Sequence, residues 1–116
     1  FLDAFNRNDL DAVMAFFTDD AVYEELDGER SVGLTNIRAA FAPQFSGKFG
    51  RMTFIEDDTF IDADNNKVMS SWDLEIEKDG GTLVLKGLDL LRFVGDKVVL
   101  KQTYVKAKSA LYQERG

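Results

Sequence analysis

One carboxylic acid lies in apolar, strand-like surroundings where acid–base chemistry could be done. Asp89 falls within LVLKGLDLLRFV (Leu83 to Val94), among Leu85, Leu88, Leu90, Leu91 and Phe93. A carboxylate there is costly to desolvate unless it is paired or neutralised. By the period of two, Leu83, Leu85, Gly87, Asp89, Leu91 and Phe93 share one face, apolar apart from the aspartate, and Val84, Lys86, Leu88, Leu90 and Arg92 form a mixed one. If the apolar face looks inward, burial favours the neutral acid, which could donate a hydrogen bond or a proton. An edge charge, or a salt bridge to Lys101 on the neighbouring strand, satisfies the same pattern. Another acid, Glu25, lies in AVYEEL (Ala21 to Leu26), where Tyr23 and Glu25 share one face and Val22 and Glu24 the other.

Composition narrows what such acids could do. The chain has 116 residues, one domain by length, with a net charge of -7, no His and no Cys. Thiol nucleophiles, thiolate metal sites, Ser-His-Asp triads and imidazole proton shuttles are therefore excluded, and acid–base work falls to carboxylates, Tyr or Lys. The acidic balance speaks against nucleic acid and anionic membrane surfaces as partners, since both are bound by clustered Lys and Arg. No apolar run is long enough to span a bilayer, and no basic-then-apolar segment opens the chain. Phe1 is not a Met and already sits in a helical pattern, so the reading leaves room for residues ahead of it; the expected location is the cytoplasm. DADNN places Asp62, Asp64 and Asn66 like the first ligands of a calcium loop, but Lys67 stands where that loop needs Gly, so a hairpin turn is expected. Asp57-Asp58 reads as a polar edge or a bulge.

The elements that must position the two acids follow from the hydrophobic spacing. FLDAFNRNDLDAVMAFF carries Leu2, Phe5, Leu10, Val13, Phe16 and Phe17 at helical intervals, broken at Asn6-Arg7-Asn8, with Asn8 or Asp9 capping a second helix through Phe17. Thr18-Asp19-Asp20 reads as a stop, AVYEEL as a short strand and LDGERSVG as a turn. Thr35 is the expected N-cap of a third helix, TNIRAAFAPQF, which Pro43 should end or kink. Beyond Lys48, RMTFIEDDTFI, KVMSSWDLEIE, TLVLKGLDLLRFV and KVVLKQTYVK read as long strands joined by hairpin connections. In the second of these Val68, Trp72, Leu74 and Ile76 face inward with Ser70. Trp72 there reads as ordinary core, or as a pocket wall if the core is hollow. Helices followed by an antiparallel meander give an α+β fold with helices on one face of a curved sheet.

These strings resemble a known superfamily. DLDAVMAFFTDDAVYEELDGERSVGLTNIRAAF is similar to the front half of the NTF2-like superfamily in its ketosteroid isomerase and SnoaL-like branch, and GLDLLRFVGDKVVLKQTYV to that branch's paired closing strands. The resemblance runs from about Phe1 to Lys106. It implies a cone of three N-terminal helices on a strongly curved, mostly antiparallel sheet that encloses a pocket, with residues 1–116 as one domain. In that family's terms Glu25 matches the carboxylate general base, and Asp89 matches a protonated aspartic acid that donates to a substrate oxyanion, both in one cavity. Phe1, Phe17 and Phe41 stand where the isomerases carry pocket tyrosines, so the hydroxyl network is missing, and one oxyanion donor with it. The epoxide-hydrolase branch uses an acidic residue where this chain has Thr103. The resemblance thus implies the pocket without implying steroid isomerisation.

Three readings follow. In the first, Glu25 is a general base and neutral Asp89 a donor or acid, acting without a cofactor on a small hydrophobic carbonyl compound. Phe1, Phe17, Tyr23, Phe41, Trp72, Leu91, Thr103 and Val105 then contact the ligand. In the second, the same pocket binds a hydrophobic molecule without turning it over. In the third, Phe side chains fill the cavity and the domain is a dimerisation or accessory module. Asp89 locked to Lys101, or a structure with no pocket beside it, would decide for the third. The resemblance also implies a homodimer through the outer sheet face, where Leu88, Leu90, Leu100 and Tyr104 lie beside Arg92.

Overall fold

The computed structural model describes residues 1–106. Two short helices, α1 (Leu2–Asn6) and α2 (Leu10–Met14), lead into strand β1 (Phe17–Glu24). The Asp9 side chain caps α2 by accepting from the Ala12 N–H at 3.0 Å. The helix stops at Met14 rather than at Phe17. Phe17 is already paired with Val98 in the sheet, and Thr18-Asp19-Asp20, expected as a stop, is part of the strand. A short strand β2 (Arg30–Val32) occupies part of the expected turn and pairs antiparallel with β1.

Helix α3 (Leu34–Phe45) is capped by Gly33, one residue before the helix and two before Thr35. The Gly33 backbone at φ +84° is the left-handed turn that glycine adopts most readily, and its N–H donates to the Ala21 carbonyl at 2.8 Å. Pro43 lies inside α3, which continues to Phe45. Pro43 lacks the N–H that would donate to the Ala39 carbonyl, the helix ends two residues later, and the Ser46 hydroxyl donates to the Pro43 carbonyl at 2.8 Å.

The meander consists of β3 (Arg51–Asp62), β4 (Lys67–Lys78), β5 (Gly81–Val94) and β6 (Lys97–Val105). One six-stranded sheet results, in the order β2-β1-β6-β5-β4-β3, antiparallel throughout except where β1 runs parallel to β6. DADNN forms a one-turn 3₁₀ connection capped by Asp62, with Asn66 left-handed. The register slips between Glu56 and Asp58, making the acidic pair a bulge, and again between Arg92 and Phe93 on β5. Bulges and strand twist curl the sheet around the helices. The helices close the concave face: Ile37 and Phe41 of α3 and Val13 of α2 are almost wholly buried against Phe17, Ala21 and Val98. Asn6 ties α1 to β3 by mimicking a strand neighbour, its side chain donating to the Phe54 carbonyl at 2.8 Å and accepting from the Phe54 N–H at 2.7 Å. Among the described residues no helix is long and apolar enough to cross a membrane.

Candidate functional site

Asp89 faces inward on β5 and is buried, 3% exposed, and so is Lys101 on β6, at 4%. Lys101 Nζ donates to Asp89 Oδ1 at 3.0 Å and to Thr103 Oγ1 at 2.9 Å, and the Thr103 hydroxyl donates to the same Oδ1 at 2.6 Å. Trp72 Nε1 donates to Asp89 Oδ2 at 3.0 Å. Both carboxylate oxygens are thus acceptors, and three donors converge on them. The contact with Lys101 is the alternative that the strand pattern had left open beside the neutral-donor reading.

Glycine builds part of this arrangement. Gly87 stands opposite Trp72, and a Cβ there would come within 2.5 Å of the indole Cη2 and 2.6 Å of the Tyr104 carbonyl oxygen. Without one, the indole lies across β5 and carries its N–H to Asp89. Trp72 therefore has a polar task that neither a core nor a wall reading assigns to it.

The Lys101 ammonium also sits over aromatic rings. Its Nζ is 4.6 Å from the Tyr23 ring centre, 5.6 Å from Phe41 and 5.8 Å from Phe5. Tyr23 and Phe41 stack on each other at 4.7 Å, and Phe5 meets Phe41 and Phe54 edge-on. Burial raises the Tyr23 hydroxyl's pKa far above its ordinary value, with the charges of Glu25 and Asp89 adding to the shift against a hydrogen bond with Thr103.

Beside this cluster lies a cavity of about 90 Å³. Asp89, Lys101 and Thr103 contribute to its lining, and Tyr23, Phe41, Phe54, Trp72 and Val105 are among its walls. Six of the ten residues expected at the site meet there: Tyr23, Phe41, Trp72, Asp89, Thr103 and Val105. Phe17 is packed in the core. Phe1 and Leu91 line instead a groove of about 340 Å³ beneath α1, which reaches Asp89 from the other side and also carries Glu56, Thr59 and Ser70. Glu25 follows the last residue of β1 and is absent from the cavity lining, although its neighbour Leu26 is part of it. The two carboxyls therefore do not share one cavity wall. Burial raises the Glu25 pKa, the neighbouring charges of Asp27 and Glu29 raise it further, and Lys101 lowers it.

Of the two conditions that would speak for a closed accessory domain, one is met and the other is not. Asp89 is locked to Lys101, and a cavity adjoins it. Sequence reasoning named Lys101 only as a possible ion-pair partner and missed it, with Phe5 and Phe54, as a cavity residue. Its even spacing from Thr103 and Val105 was the available signal.

Comparison with known proteins agrees with this architecture. The sequence model of the SnoaL-like domain family matches residues 1–101. No curated protein matches the sequence. Among solved structures, a candidate polyketide cyclase from Xanthomonas campestris pv. campestris is 23% identical, with a TM-score of 0.72 over 88% of this chain and 82% of that one. An NTF2-like protein of unknown function from Mesorhizobium loti is 20% identical, with a TM-score of 0.76 over 92% and 85%. TerC, crystallised with polyporic acid, is 13% identical, with a TM-score of 0.74 over 90% and 85%. At these identities the likeness is one of fold.

Proposed function

The chain belongs to the SnoaL-like domain family, and from that premise we propose that its cavity takes a small hydrophobic carbonyl compound and that Glu25 serves as the base in a cofactor-free proton transfer. The observation that carries this reading is the convergence of Asp89, Lys101 and Thr103 at one end of an aromatic-walled cavity, with the raised carboxyl of Glu25 beside Leu26 of its lining. Apolar walls with a few convergent polar groups are what a small-molecule site needs. A carboxyl whose pKa is moved up toward neutrality is a stronger base once ionised. The volume, about three times the ~30 Å³ of one water in the liquid, limits the ligand to a few heavy atoms unless the walls move. Similarity to a candidate polyketide cyclase is in keeping with carbonyl chemistry and adds no substrate.

The test is exchange of α-protons of small ketones in D₂O, followed by NMR. Glu25→Gln is expected to slow it by about a hundred- to ten-thousandfold, the usual contribution of a positioned base. Full exchange in that variant ends the enzymatic reading.

A second reading has its own observation. Asp89 already accepts from three donors, and a non-catalytic pocket or dimeric accessory domain is the alternative. A ligand bound tightly and recovered chemically unchanged after long incubation would support it. In either case we propose a homodimer through the outer sheet face, where Leu90 and Tyr104 are 39% and 52% exposed. Sedimentation equilibrium giving a monomer at micromolar concentration would refute that. A cytoplasmic location is part of the same proposal, checked by cell fractionation.

A further inference from the structure

We infer that Lys101 is the binding residue for the carbonyl oxygen of the ligand, and that the Asp89–Lys101 pair makes the cavity selective for neutral ketones or aldehydes over anions. The inference deepens the proposed function and rests on its claim that a carbonyl compound enters the cavity. An ammonium has three N–H donors. Two are committed, to Asp89 Oδ1 and Thr103 Oγ1. Among the described residues the third has no oxygen acceptor and is left with aromatic faces, nearest Tyr23 at 4.6 Å. A ring face is a poorer partner for a desolvated N–H than an oxygen.

The Thr103 hydroxyl and the Trp72 indole at this end are occupied, each giving its proton to Asp89. A ligand oxygen beside Lys101 therefore gains a charged donor without displacing an existing bond. The same charges set the class of ligand. Asp89 and Lys101 cancel locally, and Glu25 leaves an excess of negative charge nearby. A carboxylate ligand meets that excess, whereas a neutral carbonyl meets only the free N–H.

Carbonyl-¹³C cyclopentanone and methylenecyclopentane, its near-isostere with CH₂ in place of oxygen, test the inference by NMR titration of the whole chain. The wild-type protein is expected to bind the ketone about tenfold to a hundredfold more tightly, the range for a hydrogen bond to a charged group. The bound carbonyl carbon should move downfield, and the Lys101 ¹⁵Nζ resonance should shift with the ketone and not with the alkene. Lys101→Met alone leaves Asp89 unpaired, so the decisive variant is Asp89→Asn with Lys101→Met, which is expected to bind both probes equally. A ketone preference that survives in the double variant, or a wild-type protein that shows no preference or binds neither probe, overturns the inference. Glu25→Gln distinguishes the two proposals. Turnover that persists in it ends the base assignment, while a Lys101-dependent ketone preference in that same variant leaves this inference standing.

Discussion

Two lysine–aspartate pairs tie strand β5 to its neighbours, one on each face. Lys101 Nζ lies 3.0 Å from Asp89 on the concave face, with side chains 5% and 4% exposed, and Lys86 Nζ lies 2.9 Å from Asp73, with side chains 60% and 35% exposed. The distances are nearly equal, so geometry at the contact does not separate them. Surroundings do. The outer pair exchanges with water and salt, whereas the inner pair is almost wholly withdrawn from them. Each of its members is tolerable only because the other is there. The inner pair therefore couples folding to the site, and the outer pair decorates the surface.

The sharpest way to break this comparison is to remove one inner partner. Lys101→Met should destabilise the domain by about 3–5 kcal/mol, because it strands a buried carboxylate. Adding Asp89→Asn should recover most of that loss, since an asparagine oxygen still accepts from Trp72 and its amide can still reach Thr103. Urea unfolding of the single and double variants measures both. Equal stability of Lys101→Met and wild type would mean that the inner pair is as weakly coupled to folding as the outer one.

The two pairs were not equally visible in the sequence. Asp89 was conspicuous because one charge on an apolar face breaks a period of two, and its pairing with Lys101 was among the stated alternatives. Lys101 as a cavity member was legible only from its even spacing with Thr103 and Val105, and the inward turn of Val98 was hidden. In KVVLKQTYVK a strict alternation puts Lys97, Val99 and Lys101 on one face. The register slip beside Arg92 pairs Phe93 with Val98 and Arg92 with Leu100, which leaves Val99 as the extra residue and turns Val98 inward with Lys101. A bulge is set by the neighbouring strand, so no local string announces it. The α+β class, the element order and the hairpins were legible because turn residues and alternation are local. The end of α2 was not, since Ala15-Phe16-Phe17 suits helix and strand alike and pairing with β6 decides between them. Glu25 emerged only through the resemblance, because a glutamate at a strand end is chemically ordinary.

A smaller effect sharpens the comparison through pH. Glu25 has its carboxyl pKa raised above the ordinary 4.5 in the folded chain, first by burial and then by Asp27 and Glu29. A raised carboxyl pKa means that the folded state holds its proton more firmly than the unfolded one. The favourable contribution is thus fully present below about the unfolded value and is lost as pH rises through the folded one. Glu25→Gln should therefore be somewhat more stable than wild type at pH 7, with the difference closing at pH 4. Urea midpoints at the two values test it. A variant that is less stable at pH 7 would mean that the ionised carboxylate has a favourable partner, with Lys101 the first candidate, and would enlarge the inner network.

The smallest effect is expected at the outer pair. The Lys86 pKa is raised, first by its hydrogen bond to Asp73 and then by the aspartate's charge. For a lysine the stabilising contribution is present below the ordinary 10.5 and is lost as pH rises through the folded value, so at neutral pH it is fully in place. Even so, an exposed ammonium and carboxylate released from each other are promptly hydrated. Asp73→Asn should accordingly lower the Lys86 titration midpoint, read from its side-chain resonances, while leaving the urea midpoint at pH 7 and physiological salt unchanged within error. Added salt should shrink the wild-type Lys86 shift and leave the Asp89–Lys101 contact untouched, because counterions reach one face of β5 and not the other. A loss of stability in Asp73→Asn comparable to that in Lys101→Met would show that burial is not what separates the two faces, and the inner pair would lose its claim to be the structural centre of the site.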